Sequence, residues 1–352
     1  MDNYKNFKNL KEISFREINL INKDEDFYNG FGRDVYINNK REIMLEENNL
    51  EGTYESPIIN TLVFKDLIGS WNAEAANNSE IEFFIQVKQG EEWSRWFSYG
   101  KWWSSGNIGS INNQYDHVAI MDVDLIKVLS EHGANAFRYK INLKRESITI
   151  TSPKVKLIAI TLNLNKIELQ AYKIDRDWEM ELDLPQRSQM IVPNIGNVIC
   201  SPTALSMVLE YYGYVEETKK VAKGVFDNGA GIYGNWSYNV AYAGSKGFIA
   251  YVARFTDLDQ IKAMISQGKP LVASIRTNAA EELQGAPQAY PSGHLIAIRG
   301  FMIKDGIEYI IVNDPAALDD ESVRREYLSE QFLKAWNGVV YCVFPRNQTI
   351  EN

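Results

Sequence analysis

The sequence predicts two domains, an antiparallel β-sandwich of jelly-roll type followed by an α+β domain. Three observations carry this. The chain has 352 residues, more than a single hydrophobic core usually supports. From about 56 to 172, short strand-like runs alternate with turn clusters. Past a proline-bearing connector the pattern changes to helices and then strands. The expected division is an N-terminal arm over 1–55, a sandwich domain over 56–175 and an α+β domain over 176–352.

Residues 1–55 are polar, rich in Asn, Glu and Lys, and residues 19–34 show no clear period. They read as an arm wrapped on a domain. The sandwich strands are expected at 58–64, 81–87, 118–123, 136–143 and 155–162, with loops at 75–79 and 104–110. Residues 124–129 read as helical or turn-like. In the second domain the spacing predicts a helix over 203–212 that stops at Gly213. Further helices are expected over 238–247 and over 257–268, the latter closed by Gly268 and Pro270. Strands follow at 270–275, 294–301, 309–313 and 338–344, with a short helix at 330–336.

Composition narrows the function. The net charge is −9, which argues against nucleic acid as a partner, because phosphate neutralisation needs a basic face. Two cysteines in so long a chain make no disulfide framework. With three histidines, all widely scattered, no zinc motif forms and no metal or other cofactor is expected. No stretch approaches the roughly 18 apolar residues of a membrane span, and residues 1–5 lack the apolar run of a signal peptide. The default expectation is therefore a cytoplasmic location. Nineteen Tyr and eight Trp make glycan or peptide contact by the sandwich a candidate, with Trp93, Trp96, Trp102 and Trp103 as its rings. The competing reading places those rings in the core.

Chemistry concentrates in three short stretches. Cys200-Ser201-Pro202-Thr203 opens an apolar helix, and proline suits a first helical turn because its missing N–H costs nothing there. A thiol at a helix N-terminus meets backbone N–H groups and a partial positive charge, which favour the thiolate. His294 begins an apolar strand after Gly293, and an imidazole there can take the thiol proton. Val312-Asn313-Asp314-Pro315 closes the next strand, where either Asp314 or Asn313 can orient the imidazole. The backbone N–H of Cys200 offers one oxyanion donor, and Gln189 or Gln186 offers a second. Cys342 lies in an apolar strand and reads as a buried structural thiol. His117 and His132 join no constellation.

These stretches, with Pro185-Gln186-Arg187-Ser188-Gln189, resemble the stand-alone C39-like family of bacteriocin-processing-type cysteine peptidases in the papain-like superfamily. The resemblance spans roughly 180–345. It implies a papain-like fold, peptide as substrate, and the roles of nucleophile for Cys200, base for His294, orienting carboxylate for Asp314 and oxyanion donor for Gln189. Ser201 stands where the family often has Gly. The interval from Gln189 to Cys200 is longer than the usual one and reads as a looped insertion. The family's fused membrane and ATPase segments are not found in this chain, so its leader-peptide substrates are not carried over.

The expected activity is hydrolysis of a peptide or amide bond through a thioester. Two rivals stand beside it: a thioester acyltransferase with an amine acceptor, and a glycan- or peptide-binding protein carrying a relic peptidase domain. Residues 228–236 and 278–291 are expected to shape the substrate groove.

Overall fold

The computed structural model describes residues 15–103, 108–164 and 177–346. The expected boundary at 175/176 lies outside them, as do residues 1–14 of the expected arm and part of the loop 104–110.

The first domain is built from antiparallel pairs throughout. Its backbone is the 16-residue strand Ile59–Glu74. Its early residues pair with Ala134–Arg145, and its later residues with Lys154–Leu164 and Leu125–Val128. Alternation along Ser79–Gln89 and Ala134–Arg145 sends Ile81, Phe83, Ile85, Phe137, Tyr139 and Ile141 inward. There they pack on Trp71, Phe97, Tyr99 and Trp102, a period-two pattern of a sheet with one buried face.

The polar stretch read as an arm is woven into this sheet. Asn19–Lys23 pairs with Lys154–Leu164, and Glu51–Glu55 with Ala134–Arg145. Its few apolar residues, such as Ile43, Leu45 and Tyr54, are buried, but three-residue strands are too short to show a period. Residues 124–129, expected as helix or turn, form the strand Leu125–Val128, with Leu125 opposite Ile68 and Ile126 opposite Leu67. Pairing with a distant strand overrides local propensity here.

The second domain centres on a six-stranded antiparallel sheet. In spatial order its strands are Phe248–Arg254, Trp336–Pro345, Leu271–Ile275, His294–Lys304, Ile307–Asn313 and Arg324–Leu328. Helices Cys200–Tyr211, Thr218–Val225 and Trp236–Ser245 cover one face, and Leu258–Ser266 covers the other. Along the strand from His294, Leu295 and Ala297 face the three-helix side, while Ile296 and Ile298 face the opposite side. A strand buried on both faces reads as a continuous apolar run, as this one does. Helix Thr218–Val225 and strands Phe248–Arg254 and Arg324–Leu328 add to the elements expected from sequence.

The outer edge of Phe248–Arg254 meets the first domain, whose side chains satisfy its backbone at alternate residues. Asn72 bonds both backbone groups of Ala250, Ser70 Oγ accepts from the Val252 N–H, and Asn19 bonds both groups of Arg254. The Arg254 guanidinium also pairs with Asp66 at 2.6 Å. An open sheet edge is thus closed by side chains rather than by another strand.

Candidate active site

Helix Cys200–Tyr211 starts where the sequence punctuation places it. The Ile199 carbonyl accepts from both the backbone N–H and the hydroxyl of Thr203, at 3.0 and 2.7 Å. Ser201, at the position where glycine is common, is buried and shares a hydrogen bond of 2.9 Å with the Tyr341 hydroxyl on the sheet. Cys200 is left half-buried at the helix start.

His294 is brought beside it by the first residue of its strand. A turn from Tyr290 to Gly293, closed by the Gly293 N–H on the Tyr290 carbonyl at 3.0 Å, leads directly into His294. Gly293 has φ of +92°, a conformation that glycine adopts without strain. His294 Nε2 lies 2.8 Å from Asp314 Oδ1. The same imidazole acts on the Cys200 thiol, and with Nε2 engaged by Asp314 the nitrogen left for sulfur is Nδ1. The structure therefore brings Cys200, His294 and Asp314 together in one line, its His294–Asp314 hydrogen bond formed.

The electrostatics follow from that line. Burial pushes the Cys200 thiol up, but the hydrogen bond and charge of His294, with the backbone N–H groups of Leu295 and Ser201, outweigh it and lower the pKa. Burial also opposes charge on His294. Asp314 and Cys200 reverse this and raise the imidazole to about 10. Asp314 is fully buried, which disfavours its charge, yet His294 and the hydroxyls of Tyr327 and Tyr290 hold its carboxyl below the ordinary value. Each of the three shifts favours the charged form of its group. At the sheet centre, burial of Cys342 outweighs the Tyr251 hydroxyl and the Lys269 charge and pushes its thiol up to about 12.

Asn313 faces away from the imidazole. Its amide donates to the Pro185 carbonyl at 2.8 Å and accepts from Arg299 at 2.9 Å, tying the connector to the sheet. Gln186 is exposed and accepts from the Arg324 N–H. Gln189 is buried. Its backbone N–H donates to the Pro315 carbonyl at 2.8 Å, and its Nε2 donates to the Gly196 carbonyl at 2.7 Å. Residues 190–199 are absorbed by turns, with Asn194 at φ +71°, that carry Gly196 back onto Gln189. The Gln189 amide keeps a second N–H, while its Oε1 has no hydrogen-bond partner among the described residues.

Two tyrosines that the sequence reading passed over complete the arrangement. Asp314 Oδ2 accepts from Tyr290 at 2.7 Å and from Tyr327 at 2.6 Å. The Tyr-Pro-Ser-Gly turn immediately before His294 is a signal for the first. Tyr327 lies on Arg324–Leu328, a strand with no distinctive local pattern.

Of the two segments expected to shape the groove, 278–291 carries Tyr290 near its far end, stacked on the imidazole. Residues 228–236 dock on the first domain instead. The Asn228 N–H donates to the Ile108 carbonyl, Asp227 accepts from the Ser110 N–H, and the Asn112 amide donates to the Gly229 carbonyl. Backbones approach so closely that a Cβ on Gly229 would stand 1.9 Å from the Ser110 oxygen.

The tryptophans are spread apart. Trp102 is in the core. The Arg138 guanidinium lies over both Trp93 and Trp96, at 4.9 and 5.0 Å from their ring centroids. Trp103 is half-buried beside a cavity of about 420 Å³ lined by Asn77, Asn78, Glu80, Lys101 and Lys144. His117 is exposed near Glu92. Among the described residues no group of His, Cys, Asp and Glu could hold a metal ion, and no helix is long and apolar enough to cross a membrane.

Residues 181–342 match the Peptidase_C39 like family, and residues 37–163 match the Peptidase C39 N-terminal domain. No curated protein matches the chain. Among solved structures, it is similar to a double glycine motif protease from an AMS/PCAT transporter, in complex with the leader peptide. Identity there is 20%, the match covers 49% of this chain and 99% of the other, and the TM-score is 0.35. A C39-like peptidase from Bacillus anthracis is 16% identical over 47% of this chain and 96% of its own, with a TM-score of 0.34. The C-terminal CBM6 of a marine laminarinase from Zobellia galactanivorans is 13% identical over 41% and 98%, with a TM-score of 0.23.

Proposed function

We propose that this C39-like chain, papain-like in its second domain, is a cysteine peptidase acting through Cys200, His294 and Asp314. The observation that carries the proposal is the buried line from the half-exposed Cys200 through His294 to Asp314. In it the thiol is lowered and the imidazole raised to about 10.

The Cys200 thiolate attacks the substrate carbonyl. The new C–S bond forms a tetrahedral intermediate whose oxyanion accepts from the Cys200 N–H and from the free N–H of Gln189. As the C–N bond breaks, His294 gives its proton to the leaving amine. Water then attacks the thioester, His294 takes the proton from that water, and the acid leaves as the thiolate re-forms. Asp314 keeps Nε2 protonated and Nδ1 facing sulfur throughout.

The test is incubation of the full chain with a peptide library, with products read by mass spectrometry. Cleavage by the wild type and its loss in a folded Cys200→Ala variant is the expected result. Turnover retained in that variant would remove Cys200 from the mechanism. Amide products with an added amine, in place of acids, would assign the acyltransferase reading instead.

For the first domain, Arg138 over Trp93 and Trp96 weighs against sugar stacking there. Trp103, beside a cavity lined by amide and charged side chains, favours a glycan contact at that point alone. A glycan array with wild type and Trp103→Ala tests it, and equal signal from both would remove it.

A further inference from the structure

The Asp314 carboxylate offers about four acceptor positions, and each has a donor. Oδ1 faces His294 Nε2 at 2.8 Å and accepts from the Ala316 N–H at 3.0 Å. Oδ2 accepts from the Tyr290 and Tyr327 hydroxyls at 2.7 and 2.6 Å. Turning the carboxylate would break bonds to two separate elements at once. Tyr327 reaches in from the edge strand Arg324–Leu328. Tyr290 reaches in from the far end of the loop before His294.

Tyr290 makes a second contact. Its ring lies flat on the imidazole, with centroids 3.9 Å apart and planes 10° from parallel. The ring is itself held. The Tyr290 N–H donates to the carbonyl and hydroxyl of Thr277 at 3.1 and 2.9 Å, and its carbonyl accepts from the Thr277 and Gly293 N–H groups. One residue therefore contacts both the plane of the imidazole and the carboxylate oxygen that does not face it.

We propose that Tyr290 and Tyr327 are positioning residues of the active site, fixing the Asp314 carboxylate so that Oδ1 stays on His294, with Tyr290 also fixing the imidazole plane. This rests on the reading of Cys200 and His294 as a reacting pair. Both tyrosines are buried. Burial, followed by the Asp314 charge, pushes their hydroxyls far up, so they remain donors. The charged and titratable groups facing them are Asp314 and Arg325, with Tyr290 also facing Tyr327, and His294 and Cys200 facing Tyr290.

Losing a donor to a buried carboxylate raises its pKa and frees it to rotate. Both effects weaken the imidazolium and return the thiol toward its free value of about 8.5. The experiment is iodoacetamide labelling of the full chain across pH, with the adduct mapped to Cys200. It is run for wild type, Tyr290→Phe, Tyr327→Phe and Tyr290→Leu, with thermal midpoints measured in parallel. The acid limb of the labelling rate is expected to move toward neutral in both Phe variants, and further in Tyr290→Leu, which also loses the stack. A limb displaced by about one pH unit lowers the rate at pH below both limbs about tenfold. Variants with lower midpoints but an unmoved limb would overturn the proposal and leave ordinary packing. A wild type with no limb below about pH 8.5 would overturn the thiolate reading itself, and the proposal with it.

Discussion

The side-chain amide of Asn72 bonds both backbone groups of Ala250, taking its N–H at 3.0 Å and giving to its carbonyl at 2.5 Å. An asparagine on a strand of the first domain thereby stands in for a strand partner at the edge of the second. Gly244 lies against the same amide, so close that a Cβ there would be 2.5 Å from Nδ2. The helix covering the sheet and the sheet edge are thus both fitted to one side chain.

Replacing Asn72 by Leu keeps the volume and removes both bonds. Each unpaired backbone group costs about 1–3 kcal/mol when buried. Asn72→Leu is expected to destabilise the chain by about 2–6 kcal/mol. Urea unfolding checks this, and a midpoint equal to wild type would show that the edge does not depend on the amide.

Asp124 makes the second junction. It is buried, and it caps helix Trp236–Ser245 by accepting from the N–H groups of Trp236 and Ser237. Burial outweighs those bonds and raises its carboxyl to about 7. An unfolded aspartate ionises near 3.9, so the unfolded state sheds this proton first and stability falls as pH rises from about 4 to 7. Asp124→Asn cannot ionise and keeps an acceptor for the helix. It is expected to exceed wild type at pH 8 by ~1–3 kcal/mol, with the advantage fading toward pH 4. Denaturation at both pH values decides, and an advantage independent of pH would exclude the charge as its cause.

The Cys200–His294 pair has a different signature. In the native state the imidazole, raised to about 10, keeps its proton up to about that pH, while the thiol is lowered. The unfolded pair has lost both protons above about pH 8.5. The native state therefore holds one more proton than the unfolded state between about 8.5 and 10, and the pair's contribution to stability falls as pH rises through that window. The difference in thermal midpoint between wild type and Cys200→Ala/His294→Gln, followed across pH, should shrink over it. A difference flat from about pH 8.5 to 10 would mean that the native pair holds no extra proton there, and would remove the raised imidazole.

Much of this molecule was legible residue by residue. Pro202 beside a helix start, Gly293 before an apolar strand and Asp314-Pro315 at a strand end are demands of the local backbone, so neighbouring residues suffice to read them. The same holds for the helix spacing of 203–212, 257–268 and the buried run from His294. The tertiary structure alone decided what depends on residues far apart in the chain. Tyr327 reaches Asp314 from an unread edge strand, Asn19 and Asn72 close the edge of Phe248–Arg254, Asp124 caps a helix in the other domain, and Leu125–Val128 becomes a strand by pairing with Ile68 and Leu67. The physical reason is common to all four. A hydroxyl, an amide, a carboxylate or a short apolar run has no preferred partner in its own stretch, and only packing decides which distant group it must satisfy.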